Sequence, residues 1–122
     1  LLFALFFQPA YADEAERTVI NIENAQNTRY EKDKQTGNDI IILSGNVKVS
    51  VSKGSNKNVI TADVIRYDRV TEMIYADGSV SLEQNTANSG SQNVTANALM
   101  FNTSSLRAYL MTDASFRQNR MR

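Results

Sequence analysis

The sequence of 122 residues contains no cysteine and no histidine. Disulfides, thiolate nucleophiles and most zinc sites are therefore excluded, as are the Ser-His-acid and Cys-His arrangements of nucleophilic enzymes. Basic and acidic residues number 13 each, so the formal net charge is zero and the basic surplus of a nucleic-acid-binding face is missing. The length suits one domain. We therefore expect no metal, no cofactor and no nucleic-acid partner.

The first residues have the pattern of a secretory signal. Residues 1–7 are an unbroken apolar run, and the small residues Ala10 and Ala12 then precede an acidic stretch. The run is too short to span a bilayer, which takes about 20 residues; a buried helix is the alternative. We predict that residues 1–12 are the end of a cleavable signal peptide and that the exported, mature domain starts at Asp13.

From residue 18 onward apolar and polar residues alternate, as in strands with one apolar and one solvated face. In residues 42–57 the alternation places three valines on one parity before a Gly-Ser-Asn turn. Similar turn residues separate the other alternating runs, and no convincing helix is found. The pattern predicts an all-β domain with strands at residues 19–23, 28–32, 39–43, 45–53, 58–68, 72–77, 79–84, 92–102, 106–111 and 114–118.

The strands repeat along the chain. An alanine is followed five residues later by an aromatic residue three times, and Gly45 and Gly78, 33 residues apart, follow the first two copies. Periods of this length are typical of stacked units that bury their apolar faces only against neighbours. Each unit is predicted to be a pair of strands forming a V, with a small residue near the corner. The three pairs are Ala25 and Tyr30, Ala62 and Tyr67, and Ala96 and Phe101.

Apolar residues of one parity would then line a continuous inner surface, with further rows facing them from the other arm of each V. Two interpretations follow. One is an ordinary sandwich core, in which these residues contact only each other; the other is a groove that holds a ligand. Periodicity alone favours the sandwich core.

The chain contains the segments NAQNTRYEKDKQTGNDIIILSGNVKVSV and NVITADVIRYDRVTEMIYADGSVSLEQ. Their motifs are T-A-D-x-[IV]-x-Y-D at residues 61–68 and [ILV]-x-G-[NS]-V at residues 43–47, and the strand at residues 19–23 precedes them. In these features the chain resembles the OstA-like family of lipopolysaccharide-transport proteins. That family includes LptA, the periplasmic part of LptC and the amino-terminal domain of LptD. The resemblance covers residues 18–118.

The resemblance implies an incompletely closed antiparallel β-jelly roll, V-shaped with stacked strand pairs, over residues 13–118. In that family an apolar interior groove holds the acyl chains of lipopolysaccharide, and domains join edge strand to edge strand into a bridge across the periplasm. The expected partners are lipopolysaccharide or a related glycolipid and other OstA-like domains. Carried over position by position, the groove residues are Ile20, Ile22, Tyr30, Val47, Val49, Val51, Ile65, Tyr67, Val80, Leu82, Leu99, Phe101 and Phe116.

The short mature length and the abrupt end at residues 119–122, interpreted as a linker or truncated end, favour the amino-terminal piece of an LptD-like protein. In that case an outer-membrane barrel follows on the same chain and tethers the domain to the outer membrane. A short LptA-like protein is the alternative. Both alternatives place the domain in the periplasm.

An enzyme is not expected. The nearest carboxylate pair, Asp63 and Asp68, could serve glycoside hydrolysis only at a suitable separation. Five residues apart on a regular strand, the two side chains point to opposite faces. Asp68 is predicted to open a turn and Asp63 to form a hydrogen bond at a rim or corner. The alternative to a lipid conduit is a repeat-built structural or adhesion module with a closed β-sandwich core.

Overall fold

The computed structural model describes residues 17–86 and 90–111, and every regular element in these ranges is a β-strand. No helix of the described part is long and apolar enough to cross a membrane. The predicted all-β class is confirmed. The strands are β1 (Thr18–Asn24), β2 (Asn27–Lys32), β3 (Asp39–Lys53), β4 (Asn56–Asp68), β5 (Met73–Thr86), β6 (Gly90–Asn102) and β7 (Arg107–Met111).

The strands form an antiparallel sheet in the order β1-β3-β4-β5-β6-β7, with β2 paired to β3 as well. Among the described residues β1 does not pair with β7, so the sheet is not closed. The predicted signal peptide and the strand predicted at residues 114–118 lie outside the described residues.

The long strands bend along a line of β-bulges. β3 pairs with β2 through residues 39–44 and with β1 through residues 48–53, so one strand serves two neighbours. A bulge inserts extra residues into one strand of a pair and bends it there. The register shifts lie between Ser44 and Val47, between Thr61 and Val64, and between Asp77 and Val80.

The bulges divide the sheet into two walls, which we name after their edge strands. Each long strand contributes one part to each wall. The β1 wall contains residues 18–24, 47–53, 56–62, 80–86 and 90–96, and the β7 wall contains residues 27–32, 39–44, 64–68, 73–77, 98–102 and 107–111.

The walls pack their inner faces together. Thr18 Oγ1 donates to the Thr103 carbonyl at 2.8 Å, and Lys53 Nζ donates to the Ser104 carbonyl at 2.9 Å, so the β6–β7 turn is joined to the β1 wall. Burying a Val, Leu, Ile or Phe side chain contributes about 1.5–3 kcal/mol. The core cluster, with residues from both walls, is Leu43, Val47, Val49, Val51, Ile60, Ala62, Ile65, Ile74, Ala76, Val80, Leu82, Leu99 and Phe101.

Two strand breaks predicted from the sequence are wrong. The sequence predicts a break at Ser44, directly before Gly45, and another at Gly78, whereas the structure has the continuous strands β3 and β5 there. Gly45 and Gly78 have φ angles of 85° and 87°, and Asn46 and Ser79, which follow them, have φ angles of 48°. Two successive left-handed residues turn the strand through the corner while its pairing resumes on the other side.

Both corner glycines lie directly under a polar side chain from an earlier segment of the same repeat unit. A Cβ atom on Gly45 would lie 2.5 Å from Gln26 Oε1, and one on Gly78 would lie 2.5 Å from Asp63 Oδ2. The glycines are therefore required both for their backbone conformation and for the close approach of these side chains. Gln26 and Asp63 follow Ala25 and Ala62, so the repeated sequence unit corresponds to a repeated structural corner.

Candidate functional site

An apolar pocket of about 170 Å³ lies between the two walls on the β1 side of the domain. β1 and Val49 of the β1 wall supply one side, and the β7-wall parts of β3, β4 and β5, with Arg69 just after β4, supply the other. The lining residues are Ile20, Ile22, Ile41, Leu43, Val49, Ile65, Tyr67, Arg69 and Ile74.

β1 forms the accessible side of this pocket. Ile20 and Ile22 pair in register with Val51 and Val49 of β3, and residues paired in this way have their side chains on the same face of the sheet. β1 pairs only with β3 among the described residues. Ile22 is consequently 50% exposed, whereas Val49 beside it is 2% exposed. The pocket can therefore be reached from solvent over Ile22.

The volume of the pocket limits what it can hold. An apolar cavity of about 150 Å³ accommodates a benzene-sized molecule, so this pocket accommodates a short apolar segment and not a whole lipid. A longer chain requires β1 to move away from the β7 wall. The hydrogen bonds of Thr18 and Lys53 to the β6–β7 turn resist that movement, and each contributes about 0.5–1.5 kcal/mol.

Arg69 is the charged residue among the pocket lining. It lies in the turn directly after the end of β4. Its side chain is exposed, and none of the ion pairs within the described residues involves it. The pocket thus combines apolar sides with one positive charge at its rim that forms no ion pair within the described residues.

The predicted groove residues fall into several settings. Tyr30 is exposed on β2, away from the pocket lining, and Phe116 lies outside the described residues. Their assignment to a groove stays a prediction, as it does for the rest of the set. Those that line the pocket are Ile20, Ile22, Val49, Ile65 and Tyr67. Those buried in the core between the walls, outside the pocket, are Val47, Val51, Val80, Leu82, Leu99 and Phe101.

The sequence interpretation does not include four lining residues. Ile41 and Leu43 have the same parity as Val47. Extending the row of Val47 towards the amino terminus, past Gly45, would have included both residues. In the same way, Ile74 has the parity of Val80. Arg69 has no apolar signal, because it is charged and lies beyond the end of its strand. The predicted breaks at the corners are the reason for the apolar omissions.

The inner apolar surface also reaches the opposite edge of the sheet. Leu110 of β7 pairs with Leu99 of β6, yet Leu110 is exposed whereas Leu99 is buried. Residues 90–96 of β6 pair with β5 and with no other described strand. Within the described ranges, the backbone N–H and C=O groups on that side have no strand partner, and such groups can accept a further strand.

Asp68 uses its carboxylate in structural hydrogen bonds. Oδ1 accepts from the N–H of Val70 at 2.9 Å and of Thr71 at 3.2 Å, and Oδ2 accepts from Asn38 Nδ2 at 3.2 Å. The predicted role of Asp68 in opening a turn is therefore confirmed. Burial raises the pKa of Asp68, but the hydrogen bonds to the carboxylate lower it by more, so the pKa lies below its ordinary value.

Comparisons with known proteins add no assignment. No family model matches the chain, and no curated protein matches it. Within the described ranges, no group of three or more acidic side chains is placed to hold a metal ion.

Proposed function

We propose that the domain binds the acyl chains of lipopolysaccharide or a related glycolipid between its walls and passes them towards the outer membrane. The observation that supports this proposal is the apolar pocket beside β1, which is accessible to solvent at Ile22. Each buried methylene contributes about 0.8 kcal/mol, so even a short chain segment adds useful affinity. The exposed Leu110 at the opposite edge supplies a second end for the apolar surface.

The finer fold in this proposal is the incompletely closed β-jelly roll of the OstA-like family. The unclosed antiparallel sheet and the repeated corners at Gly45 and Gly78 support it, as does the motif at residues 61–68, which lies on β4. The proposed location in the periplasm rests on the apolar residues 1–7 and the small residues that follow.

The proposed partners at the two edges are similar domains. β1 and β2 pair on one side with β3, and β7 and residues 90–96 of β6 form the other edge. Edge strands accept a further strand through main-chain hydrogen bonds. A strand added beside β1 would also extend the inner face past Ile22, so that the apolar surface continues from one domain into the next.

A closed structural or adhesion module is the second candidate function. It is favoured by the core itself, since Val51, Ile60 and Phe101 are fully buried. In that case the pocket beside β1 would be an ordinary packing defect at the edge of a sandwich. The two candidates differ in whether an apolar chain occupies that pocket.

Photo-crosslinking at two positions of β1 tests the proposal. Ile22 and Val19 are each 50% exposed and lie on the same strand, but their parities place them on opposite faces. A photoreactive residue at Ile22 should label glycolipid in membranes or extracts, and one at Val19 should not. Matched exposure makes Val19 the control for random contact with lipid.

Equal labelling at Ile22 and Val19 would show that the lipid contacts β1 without entering the pocket. No labelling at Ile22 in the folded protein would favour the closed module. A second readout is mass spectrometry of lipid that copurifies after gentle extraction. Copurified glycolipid that is lost in an Ile22→Asp variant would support the conduit, because an unpaired carboxylate among acyl chains is strongly unfavourable.

A further inference from the structure

We propose that the pocket beside β1 is selective for anionic amphiphiles, with the Arg69 guanidinium binding the oxyanion head group of a molecule whose apolar chain lies in the pocket. This inference rests on the proposed function, because it assumes that an apolar chain enters between the walls. It adds a head-group chemistry and the residue that recognises it.

Arg69 lies where the head group of a bound amphiphile would be. Arg69 lines the same pocket as Ile22 and Tyr67, and it lies in the turn just beyond the end of β4. An amphiphile with its chain against these two residues would have its head group at the pocket rim, where Arg69 lies. The apolar sides then bind the chain and the guanidinium binds the charge.

The charge of Arg69 is available for a ligand. Its nearest acidic neighbour in sequence, Asp68, has its carboxylate engaged by Asn38 and by the N–H groups of the turn. By contrast, Arg66 on the same strand lies 4.0 Å from Asp33 and is absent from the pocket lining. Arg66 is therefore the control for Arg69: Arg66 has an acidic neighbour and lies outside the pocket lining, whereas Arg69 lines the pocket and has no ion pair within the described residues.

A guanidinium suits phosphate and carboxylate oxygens because its planar N–H groups can donate two parallel hydrogen bonds. The rim is exposed, so water and salt screen the interaction. We expect an anionic head group to improve affinity about five- to tenfold over a neutral one on the same chain, which is a modest effect on the affinity scale.

The test is calorimetric titration of the full chain with dodecyl phosphate and with dodecyl maltoside, both as monomers, because the two share one apolar chain. The wild type should bind dodecyl phosphate about five- to tenfold more tightly, and added salt should reduce that preference. Arg69→Gln should bring the two affinities together. Arg66→Gln should keep the wild-type preference, and circular dichroism confirms that both variants fold.

Other outcomes separate this inference from the proposed function. Equal affinities in the wild type, or a preference that persists in Arg69→Gln, would overturn the role of Arg69 and leave the apolar pocket intact. Binding of inorganic phosphate as tight as that of dodecyl phosphate would overturn it too, since the anion site would then be independent of the chain. Binding of neither amphiphile would contradict the proposed function itself.

Discussion

The centre and the β1 edge of the sheet have the same alternating pattern but different accessibility. Val49 and Ile22 are paired in register on neighbouring strands, with their side chains on one face. Val49 is nevertheless buried and Ile22 is half exposed. β3 has neighbours on both sides, whereas β1 pairs only with β3 among the described strands. An identical sequence pattern therefore yields a buried core in one place and a solvent-accessible edge in the other.

This difference indicates how a domain of this size can be both stable and open. The central strands contribute most of the buried apolar surface, and the pocket beside β1 occupies only the margin of that surface. Substitutions at this margin should then have little effect on the free energy of unfolding. The predictions below test this separation, from the largest expected effect to the smallest.

The largest effect is expected from Phe101→Ala in the centre. Phe101 is fully buried, and truncating a buried phenylalanine lowers the free energy of unfolding by about 3–5 kcal/mol. Ile22→Ala at the edge should lower it by about 1 kcal/mol or less, since half of that side chain is already exposed. Urea denaturation of both variants measures the comparison. Similar losses would show that the edge is as much a part of the core as the centre.

Gly78→Ala at a corner should lower the free energy of unfolding by about 1–3 kcal/mol, because alanine is strained at φ 87° and its Cβ would meet the Asp63 carboxylate. Gly37→Ala is the control for backbone strain alone. Gly37 has φ 78° and nothing within 4 Å of an added Cβ. Denaturation midpoints of the two variants give the contribution of the contact with Asp63. Equal losses would mean that this contact is unimportant.

Asp68→Asn should lower the free energy of unfolding by about 1 kcal/mol at pH 7, because hydrogen bonds to a carboxylate are stronger than those to an amide. The pKa of Asp68 is lowered in the folded state, so the ionised group stabilises the fold above its unfolded pKa of about 3.9. That stabilisation is lost as the pH falls through the folded pKa. Thermal melts should show the variant and the wild type converging below about pH 4. A constant difference across pH would contradict this assignment.

The smallest effect on stability is expected from Lys53→Met, which removes the hydrogen bond to the Ser104 carbonyl between the walls. The donor is exposed, so the loss should be about 0.5 kcal/mol. Binding of a dodecyl chain should be unchanged or tighter, because the β1 wall is less firmly joined to the β6–β7 turn. Lys57→Met, at an exposed lysine near the β3–β4 turn, is the control. Weaker chain binding in Lys53→Met alone would show that the wall contact shapes the pocket and does not restrain it.

Much of the fold could be predicted from the sequence, because strand alternation and turn chemistry are local signals. Most strand positions from β1 to β7 follow from them, and so does the turn after Asp68. The continuity of the strands through the corners could not be predicted. A glycine between two alternating runs is compatible either with the end of a strand or with a bulge inside one. Only the pairing with β4 of residues on both sides of Gly45 distinguishes the two.

The sequence by itself determined the all-β class and the rows of apolar residues, since both depend on a period of two and on turn residues that act over a few positions. Only the tertiary structure decided which residues of a row are buried and which are accessible to solvent. That outcome depends on how many neighbours a strand has and on where the two walls meet. For the same reason Arg69 could be recognised as part of the pocket rim only once β4, β5 and β1 were in place.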